Sequence, residues 1–381
     1  MDSTGFFAAN IQLDARDFLQ RLDEGARDWF YERLGDRMGH SLDDQTKQVL
    51  DMSTDDGRGR IWKTRAQQSP EVSSAISYVL QGDCKMGLAH MDRSWPRTGF
   101  GKFAHMNPDF CLRLAVEVKK MVCELNIPCS LSGPPHLIYK PPNGSLLKEH
   151  HDAISPNALL RELRLFMQGT DTSVTAWVKQ HGFQCLVHIT GGRTDGATFT
   201  IGPMTPAKLL LCMEAFHDGR VAVPDKWFSD GEGPHFLKWR SMLPQLNPIL
   251  VANKESPLAV VRMVPPDASD LPFVVLWPKG FPHGSQSNSA RRISSTVCLS
   301  TTPLASKRFL KRARSLAQLH SEDEAERARA CKWLDGDTVP YEEGRTHKKP
   351  HLARRWMQPG GPYASLAPTN ESVDEFEAHV A

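Results

Sequence analysis

The sequence predicts an α+β protein with a β-sandwich or barrel-like core flanked by helices. Two observations carry this. Between about residues 130 and 300, short runs of β-forming residues alternate with Gly, Pro and Asn. On either side of that region, apolar residues recur at helical spacing.

Taken in order, residues 13–34 place Leu13, Phe18, Leu22, Ala26, Trp29, Phe30 and Leu34 on one stripe and read as an amphipathic helix. Residues 40–106 show no clear period. A second helix starts at Asn107, a capping residue, with Pro108 in its first turn. Its stripe is Cys111, Leu114, Val118, Met121, Val122 and Leu125, and Asn126 and Pro128 end it. Strands are expected in HLIYK (136–140), SVTAWV (173–178), CLVHIT (185–190), ATFTI (197–201), LAVVRMV (258–264), PFVVLW (272–277) and RRISSTVCLS (291–300). Within this region Thr205, Pro206 and Gly219 delimit a helix, and HFLKWRSML (235–243) reads as a second short one. GGRTDG (191–196) reads as a hairpin turn, since no Lys-Ser/Thr follows to make it a phosphate loop. The chain turns helical again over 305–334. Its tail from about 336, rich in Gly, Pro and charge, is expected to be flexible and to lack a core of its own. The expected organisation is a mainly helical region over 1–130, a β core over 131–303 with a helical insertion near 202–257, and a C-terminal helix and tail over 304–381.

Composition narrows the function. With 40% hydrophobic and 24% charged residues, the 381-residue chain is an ordinary globular protein. A net charge of +2 sets up no field that demands nucleic acid or an anionic surface. No stretch is apolar enough for a membrane span, and the N-terminus lacks the basic and apolar regions of a signal peptide, so a cytoplasmic or nuclear location is expected. Eight cysteines are scattered without a CxxC pair, which points to reduced thiols and away from a cysteine zinc site. The basic cluster at Lys307, Arg308, Lys311, Arg312 and Arg314 stands beside an acidic one and reads as a solvated face.

The chemistry is concentrated in two segments. LIYKPPNGSLLKEHHDAIS (137–155) holds His150 and Asp152, and residues i and i+2 of a strand share a face. An imidazole and a carboxylate there can aim at one point, with His151 directed away. A second histidine from elsewhere would complete a two-His, one-carboxylate set, which leaves coordination positions open on Fe(II). The favoured partner is His283 in WPKGFPHGSQSNSARRISSTVCLS (277–300). On the strand that follows, Arg292 and Ser294 share one face. An inward guanidinium needs a partner, and its planar fork matches a carboxylate. His188, His217 and His235 are rivals for the histidine and Arg291 for the arginine; none of the three histidines has an Arg-x-Ser strand behind it.

These residues resemble the Fe(II)/2-oxoglutarate-dependent dioxygenases, which have an HxD motif, a distal His and an Arg about ten residues later, often followed by x-Ser. All occur here in order: His150-x-Asp152, His283 and Arg292-x-Ser294. Gly144 stands where members often have a glycine, and Tyr139 where many have a tyrosine near the cosubstrate. The 283–294 segment looks most like the phytanoyl-CoA-dioxygenase-like branch. The likeness covers about 137–300; the gap from Asp152 to His283 is longer than is usual, which the 202–257 insertion would have to explain.

The resemblance implies a double-stranded β-helix (jelly roll) and iron held by His150, Asp152 and His283. It also implies 2-oxoglutarate bound by Arg292, with Ser294 and Tyr139 adding hydrogen bonds, O2 as oxidant and ascorbate as a reductant. The implied reaction is oxidation of a substrate C–H bond, coupled to decarboxylation of 2-oxoglutarate to succinate. A small organic substrate is favoured. The alternatives are the same chemistry on a nucleic-acid base or protein side chain, a jelly-roll binding module without catalysis, and a cupin-like metalloenzyme that uses no 2-oxoglutarate. Trp227 and Trp239 in the insertion read equally as a substrate wall or as core. Oligomeric state is not legible in the sequence.

Overall fold

A computed structural model of the chain describes residues 5–16, 89–90, 108–125, 127, 129–131, 136–140, 147–151, 154–193, 196–228, 235–266, 272–286, 292–297, 299–300, 307–336, 358–361 and 364–380. These form an α+β protein with eight helices and antiparallel sheets.

The first sheet contains β1 (Phe7–Asn10), β2 (Ala89–His90), β4 (His136–Lys140), β6 (Phe183–Thr190), β10 (Phe273–Pro278) and β12 (Arg292–Thr296), in the order β1-β10-β6-β12-β4-β2. The second contains β5 (Leu147–His151), β7 (Thr198–Gly202), β8 (His235–Phe236), β9 (Ala259–Arg262) and β11 (His283–Ser285), in the order β8-β5-β11-β7-β9. β3 (Ser130–Leu131) and β13 (Leu299–Ser300) make a small separate pair. Side chains of the two main sheets meet. His188 of the first reaches Thr198 of the second, and Leu186, Phe273, Val275 and Trp277 cluster with Met263, one residue past β9.

Strand alternation decides what each face holds. On β7, Thr198 and Thr200 point between the sheets, while Ile201 joins a helical layer on the other side. That layer is built from α2 (Pro156–Phe166), α4 (Pro206–His217) and α5 (Trp239–Ala252). Their termini follow from local chemistry. Ser155 Oγ accepts from Ala158 N–H and Thr205 Oγ1 from Lys208 N–H, each just before a helix that opens on proline. Gly219 follows α4 at φ +70°.

Five expectations need correction. SVTAWV is not a strand: Val174–His181 is helix α3, with Ser173 Oγ accepting from Ala176 N–H at 3.1 Å and Gly182 at φ +87° ending it. The β-branched residues favour a strand, but the cap and the burial of Trp177 and Val178 on one turn outweigh that preference. HFLKWRSML is not one short helix. His235–Phe236 pairs with β5, and α5 then runs on through Pro244 and Pro248 to Ala252, anchored by buried Trp239, Leu246 and Leu250. GGRTDG is not a hairpin turn, because β6 and β7 belong to different sheets and the loop passes from one to the other. The tail is not uniformly without structure: α8 (Asn370–Val380) buries Val373 and Phe376 and packs on α1 (Pro108–Glu124) and α6 (Lys307–Gln318). Residues 11–15 are not helical, and β1 precedes them, pairing with β10; the rest of the 13–34 stripe past residue 16 lies outside the described residues.

RRISSTVCLS divides into β12 and β13, which belong to different sheets; the remaining strands fall where expected, and 305–334 resolves into α6 and α7 (Glu324–Gly336). Cys123, Cys129, Cys212 and Cys331 carry free thiols. Among the described residues, no helix is long and apolar enough to cross a membrane.

Candidate metal and cosubstrate site

β5 and β11 are neighbours in the second sheet, and His150 stands directly opposite His283 in their register. Opposed residues of an antiparallel pair project to the same face, so the two imidazoles lie side by side. Their ring centroids are 4.4 Å apart, and each residue is only 4% exposed. The separation in sequence, 133 positions by their numbering, is closed by one strand pairing. Asp152 and Gly144 lie outside the described residues, as does Arg291. Among the described residues, no three His, Cys, Asp or Glu groups are grouped to hold a metal.

Hydrogen bonds orient this pair. His283 Nδ1 is 3.1 Å from the Phe281 carbonyl, so Nδ1–H donates there and Nε2 carries the lone pair. Thr200, opposite His283 on β7, donates its hydroxyl to the Pro282 carbonyl at 2.9 Å, holding the turn that delivers His283. His151 takes the other face of β5, as expected. Its Nε2 accepts from Trp239 Nε1–H at 3.1 Å and its Nδ1–H donates to the Gly280 carbonyl. This neutral, buried imidazole therefore ties β5 to α5 and to the turn ahead of His283. Glu149, on the same face as His151, pairs with Arg240 at 2.6 Å, and Arg240 lies over the Phe199 ring. Trp227 and Trp239 are both buried in the helical layer around His151, so they serve the core and not a substrate wall.

Deeper between the sheets lies a polar group that includes Arg292 and Ser294. Both are buried, Arg292 at 3% exposure. Arg292 donates from Nη1 to the Gly196 carbonyl. Ser294 Oγ lies 3.3 Å from His188 Nδ1, and His188 Nε2 is 2.9 Å from Thr198 Oγ1. His188 also stacks on Phe273 at 4.6 Å. Burial, then the positive charges of Arg292 and Arg193, hold the His188 pKa well below the ordinary histidine value, so the ring is neutral. Gly192 closes over this ring: at φ +87° a Cβ there would sit 2.3 Å from His188 Nδ1.

Register connects the two groups. Ser285 is two residues beyond His283 on β11 and faces Thr198, while His188 faces Ser294. Inward positions thus run from the histidine pair through Ser285 and Thr198 to His188, Ser294 and Arg292. Ser285 Oγ is buried, the residue being 3% exposed, and has no hydrogen-bond partner among the described residues. A buried hydroxyl left without a partner is costly.

Other candidates separate from this group. Tyr139 stands opposite Ile293 in the register of β4 and β12, one position from the residues opposite Arg292 and Ser294. His188 is the hydrogen-bonded core histidine that the strand pattern suggested, and it is not beside the pair. His217 is exposed at the end of α4, 3.2 Å from Asp218 Oδ1. His235 pairs with His151 in the register of β8 and β5. Ser285 was missed, although the i, i+2 rule that linked His150 to Asp152 points from His283 to it.

Compared with known proteins, the chain matches no family model, no curated protein and no solved structure.

Proposed function

We propose that this protein is an Fe(II)- and 2-oxoglutarate-dependent oxygenase acting on a C–H bond of a small organic molecule, and that its two main sheets form a double-stranded β-helix. One observation carries the reading: His150 and His283 are opposed on adjacent strands, buried and ring to ring, with Arg292 and Ser294 inside the same sheet pair.

The donor set fits a hard-to-borderline divalent ion. Two neutral imidazoles on neighbouring strands supply two ligands, and Asp152, two residues after His150, supplies the carboxylate in this reading. The ion would supply O2 activation and a coordination position for a keto acid. The protein's own groups account for the rest. Phe281 and Thr200 fix the His283 ring and its turn. Arg292 would pair with the distal carboxylate of 2-oxoglutarate, and Ser285 and Ser294 would donate to it; the partnerless Ser285 hydroxyl supports this placement. His188, held neutral, would add no proton-transfer group but would steady Ser294 and Thr198 by hydrogen bonds. The four electrons that O2 takes would come from 2-oxoglutarate and the substrate C–H bond, so ascorbate would serve only as an accessory reductant.

The test is anaerobic addition of Fe(II) and then 2-oxoglutarate to the purified chain. A weak visible metal-to-ligand charge-transfer band that saturates with 2-oxoglutarate is expected. A spectrum that stays flat, or one unchanged in Arg292→Ala, overturns the reading.

A further inference from the structure

We propose that Phe236 is a substrate-positioning residue, and that the substrate presents an apolar group to it beside the metal; this rests on the metal reading of His150 and His283. Phe236 lies on β8, the outermost strand of the second sheet, directly opposite His150 in register. Its ring centroid is 5.4 Å from that of His150, tilted by 43°. His150 itself is almost fully buried, yet Phe236 is 42% exposed. The ring therefore covers a proposed metal ligand with one side and offers apolar surface to solvent with the other.

The neighbourhood makes this position distinctive. Trp277 lies 4.6 Å from His283 on the far side of the pair, so four rings run in a row: Trp277, His283, His150, Phe236. Trp277 is buried and closes the row inside; Phe236 ends it at the surface. The other exposed large hydrophobics among the described residues, Leu165 and Val251, sit on α2 and α5, away from the strands that carry the two histidines. Single exposed apolar residues are ordinary. One fixed against the ring of a proposed ligand, at the solvent-facing end of this row among the described residues, is placed to contact whatever approaches the metal. Ligand sites are mostly apolar and aromatic, with few polar groups fixing orientation. The occupant that fits is the hydrocarbon part of a small molecule, next to the carbon that reacts.

The test uses the full chain with Phe236→4-fluorophenylalanine, nearly isosteric and so compatible with folding, observed by fluorine NMR. Co(II) in place of Fe(II), with Zn(II) as the diamagnetic control, reports proximity to the metal. Benzyl alcohol is the apolar probe and glycerol the polar one; Leu165→4-fluorophenylalanine is the surface control. The expected result is a Co(II)-induced shift or broadening at position 236 and a saturable further shift with benzyl alcohol, with neither effect at 165 and none from glycerol. A Co(II) effect without any saturable response to benzyl alcohol overturns the substrate role while leaving the metal reading intact. No Co(II) effect at 236 overturns the metal reading and this proposal with it.

Discussion

His151→Leu tests how the ligand strands are held. His151 has no place in the proposed metal set, yet it joins β5, α5 and the turn before His283 through two hydrogen bonds. Leucine would fill much of the volume and remove both. Two buried groups, Trp239 Nε1–H and the Gly280 carbonyl, would then lack partners, at about 1–3 kcal/mol each, so the variant should lose roughly 2–6 kcal/mol of stability. Trp239→Phe alone orphans only the His151 acceptor and should cost about 1–3 kcal/mol. The two changes share one hydrogen bond, so the double variant should cost less than the sum, by on the order of 1–3 kcal/mol. Urea denaturation of the four proteins measures this directly. A His151→Leu cost under about 1 kcal/mol, or strict additivity, would refute the claim that this imidazole couples the elements.

Further consequences can be measured. Stability should fall as pH drops below 6.5, the ordinary histidine value, because the unfolded chain then takes up a proton that buried His188 refuses. His188→Gln should flatten that slope between pH 7 and 5 by up to about 1.4 kcal/mol per pH unit, read from urea midpoints; an unchanged slope contradicts it. Gly192→Ala meets both a positive φ and the His188 ring, and should cost roughly 2–5 kcal/mol by thermal or chemical unfolding. Phe376→Ala should cost about 3–5 kcal/mol if α8 packs integrally with α1 and α6, whereas a loosely attached tail would give almost no change.

Much of the strand layout was legible because the residues that form it carry period-two or fully apolar patterns between turn residues. β4 is HLIYK itself, and β10 is the apolar run around PFVVLW. The misses came where tertiary burial overrode local preference. SVTAWV has strand-like composition, but a serine cap and the burial of Trp177 made it helical. The prolines of α5 argue against a helix in sequence, since each removes a backbone donor; only the packing of Leu246 and Leu250 past them makes it visible. The α8 stripe is short and acidic, and its partners are some 250 residues away in α1. For the site, local geometry put His150 inward, and the arginine strand behind His283 selected it among the histidines. Strand register was not legible, and register is what brings Ser285 into line with His283 and Thr198.

The central claim is that His150 and His283 hold one metal ion together. Co(II) binding to the wild type, His150→Ala, His283→Ala and His217→Ala, followed by its d–d absorption and by equilibrium dialysis, tests it most directly. Saturable binding should persist in the wild type and in His217→Ala, whose histidine is exposed on α4, and should vanish in both site variants. Undiminished Co(II) affinity in His283→Ala would contradict the account.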